Sequence, residues 1–537
     1  MKNFIKSIFS ISAFALVATS CTKKLDLFPK NDITSETVYS TPDGYKRAFA
    51  KVYGSFALTG NSGPAGNGDV QGIDEGFSDF LRLFWKAQEL NTDEAVIAWG
   101  DAGIQDFHNM NWSSNNPFLQ GLYYRSFYQI TLCNDFINQA SDANLSKRGI
   151  SGVAADEIRR YRAEAQFLRA FQYWVQMDLW GNPPFVTEDY VLGSSLPNQI
   201  RRPDLFIYIE NQLKALENTL PATNEYGRAT KYAAKALLAR MYLNAQVYTN
   251  TSRYADALAY AKDVITNGGY NLWTGGSTPD PLAYTQLMLA DNNTYVGVPG
   301  SEFIFTINYD GLRTQGYGGT TFLTHAAVGG SMNAAQYGLG GGWGGTRTTK
   351  ALVNLFPDPN GTGDKRAQFY TSGQSLEIAD QTQFTNGYAV VKFRNVKKDS
   401  SNGQSLDFSD IDFPLFRLAE MYLIYAEAVT RGAGTTADAT AALGYINALR
   451  QRAGTTAITS GQLTKEFVLD ERARELYWEG FRRTDLIRYG RFVEGTYLWP
   501  WKGGVAGGRN VESFRTIYPL PSSDVSANTN LVQNTGY

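Results

Sequence analysis

A long run of helical periodicity between residues 156 and 181 constrains the fold more than any other feature of the sequence. Its apolar side chains recur at steps of three or four residues, which places them on one face of an α-helix. These positions are Ile158, Tyr161, Ala165, Leu168, Phe171, Val175 and Leu179. Gly181 and the Pro183-Pro184 pair are the stop signal of this helix. The chain is therefore predicted to be mainly α.

Further helical segments follow at close spacing. One is predicted over residues 231–248, and a short turn joins it to another over residues 253–270. Small residues at helix contacts and short turns between helices are typical of tetratricopeptide-like helical hairpins. The later helices are predicted over residues 414–432, 437–453 and 464–483. The expected fold is a tetratricopeptide-like helical scaffold.

The segments between the helical blocks are irregular. Residues 301–311 alternate and are rich in β-branched and aromatic side chains, which predicts a short strand. Residues 311–349 are rich in Gly, Thr and aromatic residues, and residues 356–410 look like loops. Loops of this length in a compact protein are either functional or disordered, and their aromatic content argues against disorder. These excursions are predicted to carry function.

The start of the chain has the pattern of a secretory signal. Lys2 and Lys6 precede an apolar run at residues 8–17, and small residues 18–20 lie directly before Cys21. The run is too short to cross a bilayer, which needs about 20 apolar residues. Cys21 is predicted to be lipidated and to anchor the mature protein to a membrane. The alternative is an ordinary signal peptide with a chance cysteine.

Composition narrows the choice of partners. The formal net charge is −2, and a nucleic-acid partner is not expected because neutralising phosphates needs a basic surface. Aromatic residues make up 14% of the chain. Such rings fill cores, but they also line surfaces that bind amphipathic ligands. Trp85 and Trp112 are predicted to belong to the core.

The chain has little of the chemistry that marks a metal or nucleotide site. Its two histidines, His108 and His325, have no metal-ligand spacing and are interpreted as hydrogen-bonded polar residues. Gly340, Gly342 and Gly345 match a dinucleotide-binding pattern, but no apolar strand precedes them, so the match is interpreted as chance.

One loop contains oxygen-bearing side chains of the kind that bind calcium. Asp358, Asn360 and Asp364 could supply oxygen ligands, but the full twelve-residue pattern and its closing glutamate are missing. A solvated turn is the preferred interpretation. No cofactor is expected.

Several motifs together resemble the SusD/RagB family of outer-membrane lipoproteins. The stretches that carry the resemblance are residues 25–29, 162–186, 412–428, 445–454, 470–490 and 518–537. They occur in the order of the family and cover essentially the whole mature chain. The resemblance implies a lipid-anchored protein of the outer-membrane surface that binds a glycan without cleaving it. It also implies delivery of that glycan to a SusC-like TonB-dependent receptor.

Within the family the chain looks most similar to starch-binding members. The stretches that support this are residues 74–99, 226–250, 310–323 and 497–504. By local match, the resemblance assigns Trp99, Tyr317 and Trp343 as rings that stack on an α-glucan, and Arg82 and Asp74 as hydrogen-bonding partners. A ring packed on the face of a glucose unit removes apolar area from water, while Arg and Asp side chains suit its hydroxyls.

Alternatives to this assignment remain open. Each ring could instead belong to the core, and Arg82 and Asp74 could form a structural ion pair. The chain also departs from its starch-binding relatives, because Ile97 replaces a further stacking ring and Ala102 replaces an asparagine. These changes could weaken binding or redirect it to another glycan, or they could be simple loop drift.

The predicted organisation assigns a region to each role. It comprises a signal peptide at 1–20, a lipidated tether at 21–40, a helical region at 41–290, a loop-rich glycan-binding region at 291–410, a helical region at 411–495 and a loop-rich tail at 496–537. Three rivals to α-glucan binding remain. They are a SusD-like binder of a fructan or β-glucan, a secreted glycoside hydrolase, and a structural lid whose rings are buried.

Overall fold

The structure, a computed structural model, describes residues 35–61, 63–64, 68–74, 76, 78–191 and 193–537. It is 46% helix and 6% strand, which confirms the mainly α prediction. The helices are α1 Ser35–Val38, α2 Pro42–Ala57, α3 Phe80–Glu89, α4 Asp106–Asn109, α5 Pro117–Gln139, α6 Asp142–Lys147, α7 Gly152–Leu179, α8 Arg202–Leu216, α9 Lys231–Leu243, α10 Ala245–Thr249, α11 Tyr254–Asn267, α12 Gly319–His325, α13 Lys350–Val353, α14 Leu418–Thr430, α15 Thr436–Arg452, α16 Lys465–Leu476, α17 Arg482–Arg488 and α18 Ser522–Ala527.

Helix α7 contains the long periodic run that the sequence predicts. All seven positions of the predicted apolar stripe are buried. The chain turns sharply at Gly181, whose φ is +72°. A Cβ at this glycine would lie 2.4 Å from the side chain of Ile517, so both the turn and the packing favour glycine there.

Neighbouring helices pack in pairs along the chain. Helix α7 contacts both α5 and α8, α9 contacts α11, and α14 contacts α11 and α15. This succession of paired helices is the tetratricopeptide-like scaffold. The helix predicted over 231–248 is wrong in one respect, because it is interrupted at Asn244. The Asn244 side chain donates to Arg240 O and accepts from Arg488 Nη1, so local and tertiary hydrogen bonds replace helix continuity there.

In the part of the chain that the structure describes, three two-stranded antiparallel sheets accompany the helices. They pair β1 (Val96–Ile97) with β3 (Thr346–Arg347), β2 (Phe303–Ile307) with β6 (Phe413–Arg417), and β4 (Phe369–Tyr370) with β5 (Ala389–Val390). The strand predicted within residues 301–311 is confirmed as β2.

Two predicted helix boundaries are corrected by the structure. The segment 414–432 begins as a strand, β6, because it pairs with β2, and helix α14 starts only at Leu418. The segment 464–483 is divided between α16 and α17 by Trp478 and Gly480, which have positive φ values of 65° and 83°. The backbone N–H group of Trp478 donates to the buried Glu94, and that of Gly480 donates to the buried Glu89 at the end of α3, which stabilises the break.

The hydrophobic core extends through the helical scaffold and continues beneath the irregular segments. Trp85 and Trp112 are both buried in it, as predicted. Cys21 and the predicted signal peptide lie outside the described residues. The region borders proposed at residues 290, 410 and 495 stay predictions. Among the helices of the described part of the chain, none is both long and apolar enough to span a membrane.

Candidate functional site

A shallow open depression of about 550 Å³ lies on the surface where the loop before α3, the loop after β1 and the loops on either side of α12 meet. Its lining residues are Asp74, Gly76, Arg82, Trp99, Gly100, Asp101, Tyr317 and Trp343. All five residues that the resemblance assigns to a glycan site are among them, although they come from segments far apart in the sequence. The structure therefore brings the predicted residues together.

The three rings form a bent surface. The ring centroids of Trp99 and Trp343 are 6.3 Å apart with their planes inclined at 45°. The centroids of Tyr317 and Trp343 are also 6.3 Å apart, with an angle of 63° between the planes. Tyr317 is 37% exposed, and the two tryptophans are half-buried. None of the three rings is sealed in the core, so each has area that a ligand can cover.

Strand pairing sets the position of Trp99 beside Trp343. Trp99 follows β1 closely, and the β1–β3 pairing is extended by a hydrogen bond of 2.9 Å from Ala98 N to Gly345 O. The Trp99 Nε1–H group donates to Trp343 O over 3.1 Å. A Cβ at Gly345 would lie 2.6 Å from the Trp99 ring, so only glycine allows this approach.

Arg82 lies in the first turn of α3 and is only 8% exposed. Its Nη1 atom donates to Gly76 O at 2.8 Å and to Tyr317 O at 2.7 Å, which ties two loops of the depression together. Its guanidinium carbon is 5.5 Å from the Trp99 ring centroid and 5.9 Å from that of Trp343, within cation–π range. Burial lowers the pKa of Arg82 to about 10, so the side chain stays charged at neutral pH.

Asp74 is exposed at the rim, where its Oδ1 atom accepts the Gly76 N–H over 2.7 Å. The negative charge of Asp74 acts on Arg82 and opposes the lowering of the Arg82 pKa by burial. The alternative of a structural ion pair between them stays open. One Asp74 oxygen holds the loop, and the carboxylate still faces solvent.

The floor of the depression rests on α12. Phe322 of this helix lies 6.0 Å from the Trp99 ring and 4.9 Å from the Arg82 guanidinium, measured to ring centroids. The start of α12 is held by Asp79, whose Oδ1 accepts Gly319 N at 2.7 Å and also Arg82 N at 2.8 Å. Asp79 thus caps α3 and fixes α12 with one oxygen atom.

Sequence reasoning missed several residues of the site. Asp101 is exposed and lines the depression two residues after Trp99, and only its place in the same loop could have indicated it. Phe322 and His325 support the rings from α12, a helix of seven residues that is too short to give a clear periodic signal.

The two departures from the starch-binding pattern have different structural meanings. Ile97 is fully buried in β1, so its side chain belongs to the core and leaves no gap in the surface of rings. Ala102 is exposed beside Asp101, which carries a carboxylate at the edge of the depression. A polar group is therefore available one position earlier in the loop.

The remaining candidates from the sequence have structural roles. His108 is buried and its Nε2 accepts Ile97 N at 3.0 Å; burial lowers its pKa to about 3. Asp358 accepts the backbone N–H groups of the turn that follows it, and the buried Asp364 pairs with Arg366. These carboxylates already have partners, and the absence of a calcium ion or other cofactor stays a prediction.

The sequence of the chain matches proteins of a known family. The model of the SusD family matches residues 369–537. The chain is 34% identical to the starch-binding protein SusD of Bacteroides thetaiotaomicron, over 99% of both chains. It is 24% identical to a SusD-like protein of Bacteroides ovatus, over 93% of this chain and 85% of that protein.

Solved structures show the same architecture. A SusD-like protein from Bacteroides fragilis superposes with a TM-score of 0.70 at 21% identity, over 95% of this chain and 100% of that one. Surface glycan-binding protein A from Bacteroides thetaiotaomicron, solved in complex with laminarihexaose, superposes with a TM-score of 0.68 at 21% identity, over 92% and 99% of the two chains. The molecule is thus a tetratricopeptide-like helical protein with an aromatic surface depression. It belongs to the SusD family.

Proposed function

We propose that this protein binds an α-glucan, such as starch or a maltooligosaccharide, at the cell surface without cleaving it and delivers it to a SusC-like TonB-dependent receptor. The observation that carries the proposal is the grouping of Trp99, Tyr317 and Trp343 around one open depression with Arg82 and Asp74. The relative that is 34% identical over the whole chain is a starch-binding protein, which supports the choice of glycan.

The chemistry of the depression suits a neutral sugar polymer. The ring faces offer apolar area to the C–H faces of glucose units, worth about 25 cal/mol per Å² removed from water. The Asp74 and Asp101 carboxylates are exposed acceptors for hydroxyl groups at the edges of the sugar rings. The depression is open rather than enclosed, so a long chain can lie across it with both ends in solvent.

The inclination of the rings favours a curved ligand. Planes that differ by 45° and 63° cannot all lie flat against an extended ribbon, whereas a polymer that bends can present successive sugar faces to them. An α-glucan coil has such a bend. A β-glucan is the second candidate, because a protein of the same fold was solved with laminarihexaose bound.

Calorimetry with a panel of maltoheptaose, laminarihexaose and inulin tests the choice of glycan. Wild-type protein should bind maltoheptaose most tightly, and Trp343→Ala should weaken that binding at least about 10-fold, since burying a large apolar side chain is worth about 1.5–3 kcal/mol. Trp273→Ala is the matched control, because Trp273 is a half-buried ring that packs on Tyr295 away from the depression. Tighter binding of laminarihexaose or inulin, or an equal loss in both variants, would contradict the proposal.

Non-catalytic binding is tested separately. Wild-type protein incubated with soluble starch should release no new reducing ends above a protein-free blank. Sustained release that is lost in Asp74→Asn or Asp101→Asn would instead favour the hydrolase alternative, in which the two exposed carboxylates act as acid and base.

Anchoring and delivery have their own tests. Cys21→Ala should move the protein from the membrane fraction to the soluble fraction and abolish its labelling by a fatty-acid analogue.

Wild-type protein should co-purify from outer membranes with a β-barrel receptor encoded beside it. Recovery of unmodified Cys21 or of the protein without a barrel would overturn these parts of the proposal.

A further inference from the structure

We propose that His325 is a positioning residue that holds the Trp343 ring in its ligand-accepting orientation and fixes the glycine-rich loop that carries it. The inference rests on the proposed function, because it assigns a role within the same site. His325 is the last residue of α12 and does not line the depression itself.

The imidazole of His325 lies against the indole of Trp343 in a stacked arrangement. Their ring centroids are 4.8 Å apart and their planes are inclined at only 22°. The neighbouring rings Trp99 and Tyr317 meet the same indole at 45° and 63°. His325 therefore provides the one near-parallel support among these three contacts, and it defines the plane in which the Trp343 ring lies.

The same imidazole also holds the loop. Its Nδ1 atom lies 2.8 Å from Gly341 O, and because a carbonyl can only accept, Nδ1 must carry the proton. The backbone carbonyl of His325 in turn accepts the Trp343 N–H over 2.8 Å. One residue thus contacts the Trp343 loop at the indole, at the Trp343 amide and at the Gly341 carbonyl.

The loop needs such an anchor because it has few side chains of its own. Gly340, Gly341, Gly342, Gly344 and Gly345 surround Trp343, and glycine restricts the backbone less than any other residue. The residues just after α12 supply further hydrogen bonds of 2.8 Å to the loop, from Gly344 N to Val328 O and from Gly345 N to Ala326 O. Without the His325 side chain, the Trp343 ring would lose the near-parallel contact that Trp99 and Tyr317 do not provide.

The electrostatic state of His325 fits this role. The side chain is 4% exposed, and burial lowers its pKa, so the imidazole is neutral. A neutral ring can be buried under the indole without the cost of desolvating a charge. Its donor at Nδ1 is used by Gly341, whose exposed position lets water replace the bond in a variant.

A pre-oriented ring improves affinity because less side-chain freedom is lost on binding. Fixing one rotamer-rich side chain in advance corresponds to a gain of roughly 3- to 10-fold in affinity. His325→Ala removes both the stacking face and the donor, so we expect maltoheptaose affinity to fall roughly 3- to 10-fold. His325→Phe keeps the face and should recover most of the affinity, whereas His325→Asn keeps only a donor near the Nδ1 position and should recover less.

A double-mutant cycle separates positioning from general structural damage. If His325 acts through Trp343, His325→Ala should have no further effect in a Trp343→Ala background, and should keep its full effect in a Tyr317→Ala background. Affinity electrophoresis in gels containing amylopectin can measure the weak binding of the double variants. Wild-type affinity in His325→Ala, or an equal loss in both backgrounds, would overturn the inference.

The free protein gives a readout that needs no glycan. The contribution of Trp343 to the near-ultraviolet circular dichroism, taken as the difference between each protein and its Trp343→Phe variant, should shrink in His325→Ala and return in His325→Phe. An unchanged difference spectrum would overturn the inference. If wild-type protein binds no glycan while the spectral change is present, the proposed function fails and the positioning of the ring stands.

Discussion

Charged side chains are buried in one region of the molecule and exposed to solvent in another. In the C-terminal helical region, Arg417 contacts Glu302, Glu475 and Glu479 at 2.6–2.9 Å, and all four side chains are at most 1% exposed. In the surface depression, the Asp74 carboxylate is left at the rim in solvent. Charges that specify the fold are buried and paired, and polar groups that are free to meet a ligand are exposed beside rings.

The pKa values of buried carboxylates also differ between the two regions. Burial alone would raise the pKa of Glu475, yet Arg452, Arg417 and Arg366 lower it to about 2. Burial raises the pKa of Asp79, beneath the depression, to about 6, because backbone N–H groups offset the desolvation only in part. The charged form of Glu475 is stabilised mainly by arginine side chains, and that of Asp79 mainly by backbone N–H groups.

The largest expected effect comes from breaking the buried network. Arg417→Ala would remove one cationic partner from each of the buried carboxylates Glu302, Glu475 and Glu479, which should lower the free energy of unfolding by about 3–5 kcal/mol. Urea denaturation measures this change. Arg313→Ala is the control, because its side chain is 85% exposed and its ion pair with Asp310 should contribute at most about 1 kcal/mol. Similar losses in the two variants would remove the distinction between buried and exposed charge.

The raised pKa of Asp79 should make the stability of the protein depend on pH. Its pKa is raised in the folded state, so the folded protein binds the proton more tightly than the unfolded chain and stability falls as pH rises from about 4 to about 6. Asp79→Asn keeps the oxygen that accepts Gly319 N and Arg82 N but cannot titrate.

The stability of Asp79→Asn relative to wild type should therefore increase by about 2 kcal/mol between pH 4 and pH 7. Urea denaturation of both proteins across this range measures it. Asp79→Ala, which loses the cap, should be less stable than Asp79→Asn at every pH. If the difference in stability between wild type and Asp79→Asn does not change with pH, burial does not raise the pKa of Asp79.

Much of the fold and part of the site can be predicted from the sequence, and the features that cannot be predicted have physical reasons. Helix α7 could be predicted because its stripe is long and periodic, and the three rings because local motifs resemble a family. The local pattern predicts helix from residue 414, but Phe413–Arg417 is a strand because it pairs with Phe303–Ile307, more than 100 residues away. Long-range pairing has no local signature.

Residues that support the site were harder to find than those that form it. Trp343 is conspicuous among glycines, whereas His325 shows no local pattern that links it to a ring 18 positions later. Arg417 and Glu475 are likewise charged residues that are buried, and only their meeting in three dimensions explains their burial. The sequence indicates the rings, and the structure indicates what holds them.

On the exposed side of the comparison, the ring of Tyr317 should matter for affinity and not for stability. Tyr317→Ala is expected to weaken maltoheptaose binding about 5- to 10-fold, because the residue is 37% exposed and its loss leaves little new cavity. The melting temperature should change by no more than about 2 °C. Tyr317→Phe keeps the ring and should retain most of the affinity, so an equal loss in both variants would assign the effect to the hydroxyl group.

The smallest expected effect is at Asp101, the exposed carboxylate that sequence reasoning did not identify. Asp101→Asn keeps an acceptor oxygen and removes the charge, so affinity for neutral maltoheptaose should fall by about 2-fold or less. The same variant should bind a sulfated maltooligosaccharide more tightly than wild type does at low salt, because the rim carboxylates Asp74 and Asp101 repel an anionic ligand. Calorimetry at 50 and 500 mM NaCl should show that this gain disappears at high salt. If Asp101→Asn instead abolishes binding of the neutral sugar, the rim is a principal contact, and the rings are not the main source of affinity.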